Sequence, residues 1–285
     1  MVRMTDTNPN QLSAVAAYRA LHQAGCFILP NPWDAGTAIY LRHLGFKALA
    51  TTSAGFAFSR GLPDDIGAVS RDAMLAHVAE IARATPLPVN ADFQNGFAHD
   101  PQGVAANVAL CVATGTAGLS IEDNSGDEDT PLYERGLAVE RVRAARAAID
   151  ASGVPVVLTA RCEAYLVGDP DAARVSVDRL VAYADAGADC LYAPGVRHAG
   201  EIAAIVNAVA PKPVNVLVSA PMPGLSFERL AELGVRRISV GSALARVAWG
   251  ALIRAAREMA DTGSFDGLRD GASFGELNDL FRNPG

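Results

Sequence analysis

The stretch VAYADAGADCLYAPG, from Val181 to Gly195, contains the repeating unit that decides the fold. An Ala-rich run ends at Gly187, and the short apolar run CLYAPG begins three residues later. Glycine is favoured just beyond a helix because it adopts the left-handed conformation without a steric penalty. The stretch therefore predicts a helix that ends near Gly187 and leads directly into a strand.

The same order of a glycine followed by an apolar run recurs along the chain. A glycine precedes an apolar run in HLGFKAL from His43, ATGTAGL from Ala113 and ELGVRRI from Glu232. The predicted strands lie in CFILPNP from Cys26, ALATTSAG from Ala48, PVNADF from Pro88, GLSIED from Gly118, PVVLTAR from Pro155, CLYAPG from Cys190, PVNVLV from Pro213 and RISVG from Arg237. The predicted helices include residues 71–84, 101–114, 140–151, 171–186, 199–209, 226–233 and 243–262.

Eight strand–helix units in succession are typical of a closed parallel α/β barrel. We predict a single (β/α)8 TIM barrel domain over residues 1–285, since no Pro/Ser-rich linker divides the chain. An open doubly wound sheet is the alternative, but eight consecutive units favour closure. Residues 11–24 predict an extra N-terminal helix beneath the barrel. The amphipathic tail, residues 265–281, predicts a helical extension that lies on a partner subunit or on its own barrel wall.

The composition excludes several classes of protein. Half of the residues are hydrophobic, and the formal net charge of −7 argues against a nucleic-acid or anionic-membrane surface. The four cysteines are widely spaced without a C-x-x-C pair, which predicts reduced thiols in a cytoplasmic protein. No run of about 18 apolar residues predicts a membrane span. Residues 1–9 are polar and lack the apolar region of a signal peptide.

Polar residues follow a common pattern at the ends of the predicted strands. Residues two apart in a strand share a face, and a barrel of this type forms its active site at the carboxyl ends of its strands. Such positions are filled by Asn90, Asp92, Ser120, Glu122, Thr159, Arg161, Glu163 and Asn215. We therefore expect these side chains to collect at one rim of the barrel.

The residue types at this rim suit a hard cation and an anion. Asp92 and Glu122 offer carboxylate oxygens and Asn90 offers an amide oxygen, a sparse set that favours Mg²⁺, with Mn²⁺ as a possible substitute. Arg161 can bind a carboxylate through two parallel hydrogen bonds. Arg161 and Glu163 could instead simply pair with each other.

Other polar residues carry weaker signals. A single Asp after a strand is usually a helix cap or a loop salt bridge, which is the expectation for Asp123, Asp169 and Asp171. His198 follows the sixth predicted strand and could reach the rim, whereas Cys162 is expected to pack away from it. The segment GSALAR from Gly241 could offer helix N-terminal amides to an anion.

These motifs resemble the isocitrate lyase/phosphoenolpyruvate mutase superfamily. The resemblance runs from NPWDAGTA at Asn31 to SVGSALAR, which ends at Arg246. Its most specific pieces are TTSAG…RGLPD between Thr51 and Asp64, VNADFQNG, GLSIED, LTAR and YADAGADCLYAPG. The resemblance implies a lyase that breaks or forms a C–C or C–P bond beside a Mg²⁺-bound enolate of a small 2-oxo acid. It also implies dimers or tetramers that exchange a C-terminal helix.

The resemblance further implies a role for each matched position. The implied substrate contacts are Thr52, Ser53 and Ala54, largely through backbone amides, together with Arg161 and Asn215. The implied metal ligands are Asp92 and Glu122, directly or through water, with Asn90 beside them. The candidate catalytic residues are Asp64, Arg161 and Glu163. A cation and a guanidinium at this point would stabilise the enolate charge electrostatically.

Two departures from the family pattern narrow the expected activity. Asn90 stands where the family pattern D-A-D has its first Asp, so Mg²⁺ should bind more weakly or through more water. The stretch NSGDEDTPLYERG from Asn124 contains no Cys, Lys or His. It therefore lacks the K-[KR]-C-G-H lid of isocitrate and methylisocitrate lyases, and their usual reaction is not expected.

The resulting hypothesis is a Mg²⁺-dependent lyase or hydrolase that cleaves or decarboxylates an oxaloacetate-like 2-oxo acid. Phosphonopyruvate chemistry is the alternative, and it ranks second because a C–P substrate brings further negative charge close to the acidic stretch from Asn124. A phosphate ester would also need more cations at the rim than Arg161 alone. The third possibility is a non-catalytic member that binds a 2-oxo acid. Proton delivery needs a group within hydrogen-bond reach. The candidates are Asp64, Tyr133, Glu134, Glu163 and a bound water.

Overall fold

A computed structural model describes residues 9–283, which form an eight-stranded parallel barrel surrounded by helices. The strands are β1 Phe27–Leu29, β2 Leu49–Ala50, β3 Val89–Asp92, β4 Gly118–Glu122, β5 Val157–Arg161, β6 Cys190–Tyr192, β7 Val214–Leu217 and β8 Arg237–Ser239. Their order around the barrel is β1-β8-β7-β6-β5-β4-β3-β2. The Ala50 N–H donates to the Pro30 carbonyl at 3.0 Å and bridges the remaining gap beside β2. The predicted TIM barrel is therefore confirmed, and the opening residues 1–8 lie outside the described part of the chain.

Helices fill the connections between the strands. They are α1 Pro9–Gln23, α2 Ala35–His43, α3 Ser53–Ser59, α4 Arg71–Ala84, α5 Pro101–Val112, α6 Arg135–Ser152, α7 Ala172–Asp185, α8 Ala199–Val209, α9 Phe227–Glu232, α10 Ala243–Thr262 and α11 Phe274–Arg282, with a 3-10 turn at Asp266–Leu268. Helices α4, α8 and α10 have the predicted bounds. The short helix α3 lies where the sequence predicted the continuation of a strand, and that prediction was wrong.

Side chains at the helix starts explain where several helices begin. Asp34 forms a capping box with Thr37, whose backbone N–H donates to Asp34 Oδ1 at 2.7 Å. Asp100 accepts from the Gly103 N–H at 2.8 Å and is followed by proline in the first turn of α5. Such caps satisfy backbone donors that have no partner within the helix. Helix α3 starts for the same reason, as described with the site below.

The four glycines predicted to end helices all have a left-handed backbone. Gly45, Gly115, Gly187 and Gly234 have φ values between 87° and 105°, a region that L side chains rarely adopt. Each glycine leads into the next strand within a few residues. Local backbone requirements therefore set the repeat that the sequence displays.

Helix α1 closes the floor of the barrel. Gln11 donates from its amide to the carbonyls of Val112 and Thr116, at 2.8 and 2.9 Å. Tyr18 is fully buried, and its hydroxyl accepts a hydrogen bond from Arg237 of β8. The predicted extra N-terminal helix is present at the predicted place. The four cysteines are free thiols, and three of them are buried.

The C-terminal helices lie largely outside the core. Ala245 is the one buried residue of the 20-residue helix α10. Val247 and Phe265 are 69% and 71% exposed, and Phe274 at the start of α11 is 88% exposed. Helix α11 touches α2 of the same chain. Within residues 9–283, no helix is long and apolar enough to cross a membrane.

Candidate active site

Arg161 lies at the carboxyl end of β5 and holds three carboxylates together. Its Nη1 is 2.8 Å from Asp92 of β3, and its Nη2 is 3.2 Å from Glu122 of β4. Its Nε donates to Glu163, two residues further along its own chain segment, at 2.9 Å. The guanidinium also lies 5.0 Å from the ring centre of Tyr192, in the next strand. The predicted convergence of polar residues from neighbouring strands is therefore observed around one arginine.

The register of the sheet explains this convergence. Asp92 pairs with Ser120, and Glu122 pairs with Arg161, in adjacent parallel strands. Because side chains alternate along a strand, these residues face the same side of the sheet, and the Glu122–Arg161 pair lies two residues beyond Ser120. The pairing of Arg161 with Glu163, which the sequence left open, is present in addition to the two cross-strand pairs.

Helix α3 presents its first residue to Asp92. Both the backbone N–H and the hydroxyl of Ser53 donate to Asp92 Oδ2 at 2.9 Å. The Thr52 hydroxyl accepts from the Gly55 N–H at 3.2 Å and caps the helix. The resemblance assigned the Ser53 amide to the substrate carboxylate. In this structure the amide donates to the carboxylate of Asp92 instead.

The site contains more negative than positive charge. Burial raises the pKa of Glu122 well above its ordinary value, a shift that Arg161 partly opposes and Glu163 increases. Burial likewise raises the pKa of Glu163, which Arg161 again partly opposes. Asp64 is exposed at the mouth of the site, yet partial enclosure raises the pKa of its carboxyl to about 6, and repulsion by Asp92 adds to this shift. One guanidinium does not neutralise the carboxylates gathered around it.

Asn90 provides a further oxygen inside the barrel. It is 4% exposed, and its Oδ1 has no hydrogen-bond partner among the described residues. Buried polar atoms of this kind nearly always have a partner, so the atom is available to a ligand. Among residues 9–283, no group of three His, Cys, Asp or Glu side chains is arranged as a ready-made metal centre.

A cavity of about 200 Å³ opens beside Arg161. The predicted site residues that line it are Thr52, Ser53, Ala54, Asp64, Asn90, Asp92, Arg161 and Asn215. An adjoining pocket, here called the acidic vestibule, is lined by Asp64, Asp65, Glu122, Asp127, Glu128, Glu163 and Arg161, among other residues. The stretch from Asn124 to Gly136 contributes the outer wall of the vestibule. The volume of the cavity is below the roughly 300–1,000 Å³ typical of drug-sized ligands, so it suits a small acid.

Asp123 supports the site from behind. It is 3% exposed, its Oδ2 lies 3.1 Å from Arg179, and it accepts from the Tyr183 hydroxyl at 2.6 Å. Its Oδ1 accepts from the backbone N–H of Glu163 at 2.8 Å. The expected salt bridge of Asp123 is present, but it is buried and it fixes the backbone beside a candidate catalytic residue. No local pattern predicts this pairing, because Arg179 is 56 residues away.

Two arginines that the sequence reading missed also line the cavity. Arg246 belongs to α10, in the GSALAR segment, and is exposed. Arg237 belongs to β8, is 2% exposed and donates from Nε to Asn215 Oδ1 at 2.8 Å. Alternation along RISVG could have identified Arg237, since it shares a face with Ser239, which also lines the cavity. The assumption that Arg161 is the sole cation near the substrate was therefore wrong.

Several other candidates lie away from the cavity. His198 precedes α8 and lines a separate pocket with Tyr165. The hydroxyl of Tyr133 is 2.8 Å from His99 Nδ1, and Glu134 caps α6 through the Leu137 N–H. Of the side chains considered for proton delivery, the structure therefore leaves Asp64 and Glu163 at the vestibule.

Several known proteins are similar to this chain in fold and in sequence. A crystal structure of a Burkholderia cenocepacia J2315 protein, provisionally described as a lyase/mutase, is 50% identical; it matches with a TM-score of 0.92 and covers 97% of this chain and 98% of its own. Oxaloacetate acetylhydrolase in complex with the product oxalate is 27% identical, with a TM-score of 0.84 and 94% coverage of both chains. The oxaloacetate decarboxylase of Rhodopseudomonas palustris strain BisB5 is 31% identical over 226 residues, which are 76% of this chain and 71% of that protein.

A match to a protein-family model assigns the chain to a family. The model described as phosphoenolpyruvate phosphomutase matches residues 18–260, which span the barrel from α1 to α10. The predicted superfamily and the prediction of an enzyme are confirmed by this match and by the relatives above. The chain belongs to the phosphoenolpyruvate phosphomutase family, within the isocitrate lyase/phosphoenolpyruvate mutase superfamily of lyases and related enzymes.

Proposed function

We propose that this enzyme cleaves a C–C bond of a small, oxaloacetate-like 2-oxo acid, by hydrolysis or decarboxylation, with the help of Mg²⁺. The observation that carries the proposal is the contact of Arg161 with both Asp92 and Glu122 at the mouth of a cavity of about 200 Å³. Two relatives support the choice of acid, since they are named for oxaloacetate. Cleavage beside a carbonyl leaves negative charge on an enolate oxygen, which a cationic site stabilises.

The donor set fits a hard divalent cation. Asp92 and Glu122 supply carboxylate oxygens, and the unpartnered Oδ1 of Asn90 supplies a neutral one. Oxygen ligands of this kind, completed by water, are what Mg²⁺ takes in enzymes, and Mn²⁺ accepts the same set. The excess of carboxylates over Arg161 favours a cation at this place. When bound, the cation would polarise the oxo group of the substrate and stabilise the enolate.

Side chains of the protein account for the remaining steps of charge stabilisation and proton exchange. Arg161 remains charged and presents its guanidinium to the cavity, where it can stabilise the developing oxyanion. Asp64 has a pKa of about 6, so its carboxyl can exchange a proton near neutral pH. Glu163 is held by Arg161 and by the Asp123-bound backbone, and it positions the guanidinium.

A direct activity screen tests the proposal. Purified protein is assayed with oxaloacetate, phosphonopyruvate and related acids in the presence of Mg²⁺ or Mn²⁺, and after treatment with EDTA. We expect turnover of an oxaloacetate-like acid that EDTA abolishes and that Asp92→Asn and Arg161→Gln lower by at least about a hundredfold, as is typical for loss of an oxyanion-stabilising group.

The exposed ion pair of Arg135 with Asp178 provides matched controls, because Arg135→Gln and Asp178→Asn make the same chemical changes on the surface. Both controls should keep full activity. Saturable binding of pyruvate or 2-oxoglutarate without turnover of any acid would contradict the proposal and favour a non-catalytic binding protein.

Phosphonopyruvate chemistry is a second candidate, and a specific observation favours it. Arg237 and Arg246 both line the cavity, so the guanidinium groups available to a doubly charged phosphonate are more numerous than Arg161 alone. Release of pyruvate and inorganic phosphate from phosphonopyruvate, with no turnover of oxaloacetate, would replace the first proposal by this one.

We also propose that the enzyme is a homo-oligomer, a dimer or tetramer in which α10 packs on a second copy. Ile28 of the barrel strand β1 is 38% exposed, although an outward-facing strand residue of a barrel is normally covered by a helix. Helix α10 leaves Val247, Trp249 and Leu252 exposed. An uncovered apolar residue on the barrel wall and a largely exposed apolar face on α10 support exchange of α10 between copies.

A further inference from the structure

Arg237 is a buried cation that has no anionic partner within residues 9–283. The residue is 2% exposed, and its guanidinium forms no ion pair with an Asp or Glu of residues 9–283. Its hydrogen bonds go to the amide oxygen of Asn215 at 2.8 Å, to the Tyr18 hydroxyl at 2.9 Å and to the Thr159 hydroxyl at 3.1 Å. All three partners are neutral groups.

Within residues 9–283, the fourth polar group in contact with Arg237 is the ring of His22, which is neutral as well. Arg237 Nη1 lies 3.3 Å from Nε2 of His22, and burial together with the Arg237 charge lowers the pKa of His22 to about 3. Burying a charge without compensation is unfavourable even after the protein relaxes. A cation kept in such a place, with no counter-ion of its own, is a candidate for a ligand's charge.

The position of Arg237 gives that ligand an orientation. Arg237 and Arg161 both line the same cavity, but Arg161 is at the carboxyl end of β5, whereas Arg237 reaches down to Tyr18 of the helix that closes the floor. The carboxylates lie at the mouth, on Arg161, where they repel an anion and attract a cation. An acid with two anionic groups would therefore place one group at the mouth, beside the cation site, and the other towards the floor.

We propose that Arg237, with Asn215, forms a floor subsite that binds a second anionic group of the substrate and selects doubly charged acids over singly charged ones. Asn215 Oδ1 is fixed by Arg237, and its Nδ2 donates to Ser239 at 2.9 Å, so the amide orientation is determined by the arginine. The second group is a carboxylate or a phosphonate, since either accepts hydrogen bonds from a guanidinium. The subsite rests on the proposed function only for the identity of the acid.

The contribution of the second negative charge is measured by comparing acids that differ in that group. Oxaloacetate and 2-oxobutyrate have the same four-carbon 2-oxo skeleton, but only oxaloacetate has a distal carboxylate, and phosphonopyruvate has a phosphonate instead. Calorimetric Kd values with Mg²⁺ are compared for the native enzyme and Arg237→Gln, and kcat/KM replaces Kd for any acid that is turned over. We expect Arg237→Gln to weaken binding of the preferred doubly charged acid by about tenfold or more. Binding of 2-oxobutyrate should weaken by less than about twofold.

A neighbouring arginine provides the control variant. Arg236 is adjacent in sequence, but its guanidinium is outside the barrel and donates to the Gly25 carbonyl. Arg236→Gln should leave the affinities of all three acids unchanged. The acid whose affinity falls in Arg237→Gln identifies the group as carboxylate or phosphonate.

A second variant decides the question if Arg237→Gln does not fold. Asn215→Asp has nearly the same shape and places a carboxylate against the Arg237 Nε, so it neutralises the subsite without emptying it. The variant should lose the preference for the doubly charged acid. Equal affinity of the native enzyme for 2-oxobutyrate and both doubly charged acids, or an equal effect of Arg237→Gln on all three, overturns the subsite. Charge-selective binding without turnover of any acid supports the subsite while it removes the proposed function.

Discussion

The carboxylates at the barrel mouth have different environments, and their protonation should differ accordingly. Glu122 and Glu163 are 7% and 3% exposed, whereas Asp64 meets solvent at the entrance. Arg161 contacts Glu122, Glu163 and Asp92 but is not hydrogen-bonded to Asp64. Asp64 is therefore the carboxyl whose proton is most accessible to a substrate or to water.

We expect Asp64 to titrate with a pKa of about 6 in the metal-free protein. Carboxyl-carbon NMR of the native protein and Asp64→Asn identifies its signal, and adding Mg²⁺ should lower the pKa because a cation favours the ionised form. Asp65→Asn, a change at the adjacent exposed carboxyl, serves as the control. A pKa near that of free aspartate, or one that Mg²⁺ leaves unchanged, would contradict this assignment.

The same shift has a consequence for stability. Because the folded-state pKa is raised, protonated Asp64 contributes stability that is fully present below about pH 4 and is lost as the pH rises through about 6. Without metal, Asp64→Asn should therefore gain stability relative to the native protein as the pH rises through this window. The effect should be modest since the carboxyl meets solvent. Urea unfolding in EDTA across this window measures it.

The buried pair of Asp123 with Arg179 should matter far more for folding. Asp123→Asn removes the charge that compensates Arg179, and breaking a buried pair in this way typically lowers the free energy of unfolding by about 3–5 kcal/mol. Asp178→Asn breaks the exposed pair with Arg135 and should change stability by less than about 1 kcal/mol. Chemical denaturation of both variants makes the comparison, and equal effects would show that the buried pair is not structural.

At the scale of secondary-structure elements, substitution of the glycines that end helices tests their role in the strand–helix repeat. Gly187 has a φ of 105°, and an added Cβ would approach Cγ of Arg146 to 2.7 Å. Arg146 binds Asp189, which in turn accepts from the Leu158 N–H at the middle of β5. A side chain at Gly187 therefore disturbs both the helix end and the neighbouring strand.

We expect Gly187→Ala to be more destabilising than Gly45→Ala. Gly45 has a φ of 87° with no atom within 4 Å of an added Cβ, so its substitution should cost about 1–2 kcal/mol from backbone strain alone. Gly200→Ala, in α8 and with no crowding, should be neutral or slightly stabilising. Thermal unfolding of the three variants would rank them, and a reversed order of Gly187 and Gly45 would refute the crowding argument.

At the scale of the whole molecule, the proposed assembly depends on the exposed apolar face of helix α10. A chain that leaves Val247, Leu252 and Phe265 between 55% and 71% exposed has an apolar surface that a partner would cover. Exchange of α10 would place it over the uncovered wall at Ile28.

We expect the native enzyme to have the mass of a dimer or tetramer in solution, as measured by light scattering. Val247→Asp combined with Leu252→Asp should shift it towards the monomer, because it charges the apolar face of α10. Leu110→Asp on α5, where the leucine is 45% exposed, introduces the same charge on another helix and should leave the mass unchanged. Truncation before residue 265 tests the tail separately, and a native monomer would remove the oligomer proposal.

The sequence by itself determined the barrel and most of the rim. Its glycines impose left-handed turns at fixed places, and its alternation of β-branched and Ala-rich runs sets strand and helix periods, both of which are local properties. Alternation within strands also placed Asn90, Asp92, Glu122 and Arg161 on one face. The short helix α3 was missed because TTSAG continues an apolar strand, and its start depends on the Thr52 cap.

Only the tertiary structure decided which of these groups pair. Arg161 contacts Asp92, 69 residues away, and the Asp123 pair joins residues 56 apart. Arg237 reaches Tyr18 across 219 residues of chain. Such contacts depend on barrel closure and on how α1 plugs the floor, since no local pattern specifies which distant residue a long side chain will meet. The exposure of α10 likewise depends on what the barrel around it leaves uncovered, which its own amphipathic sequence does not specify.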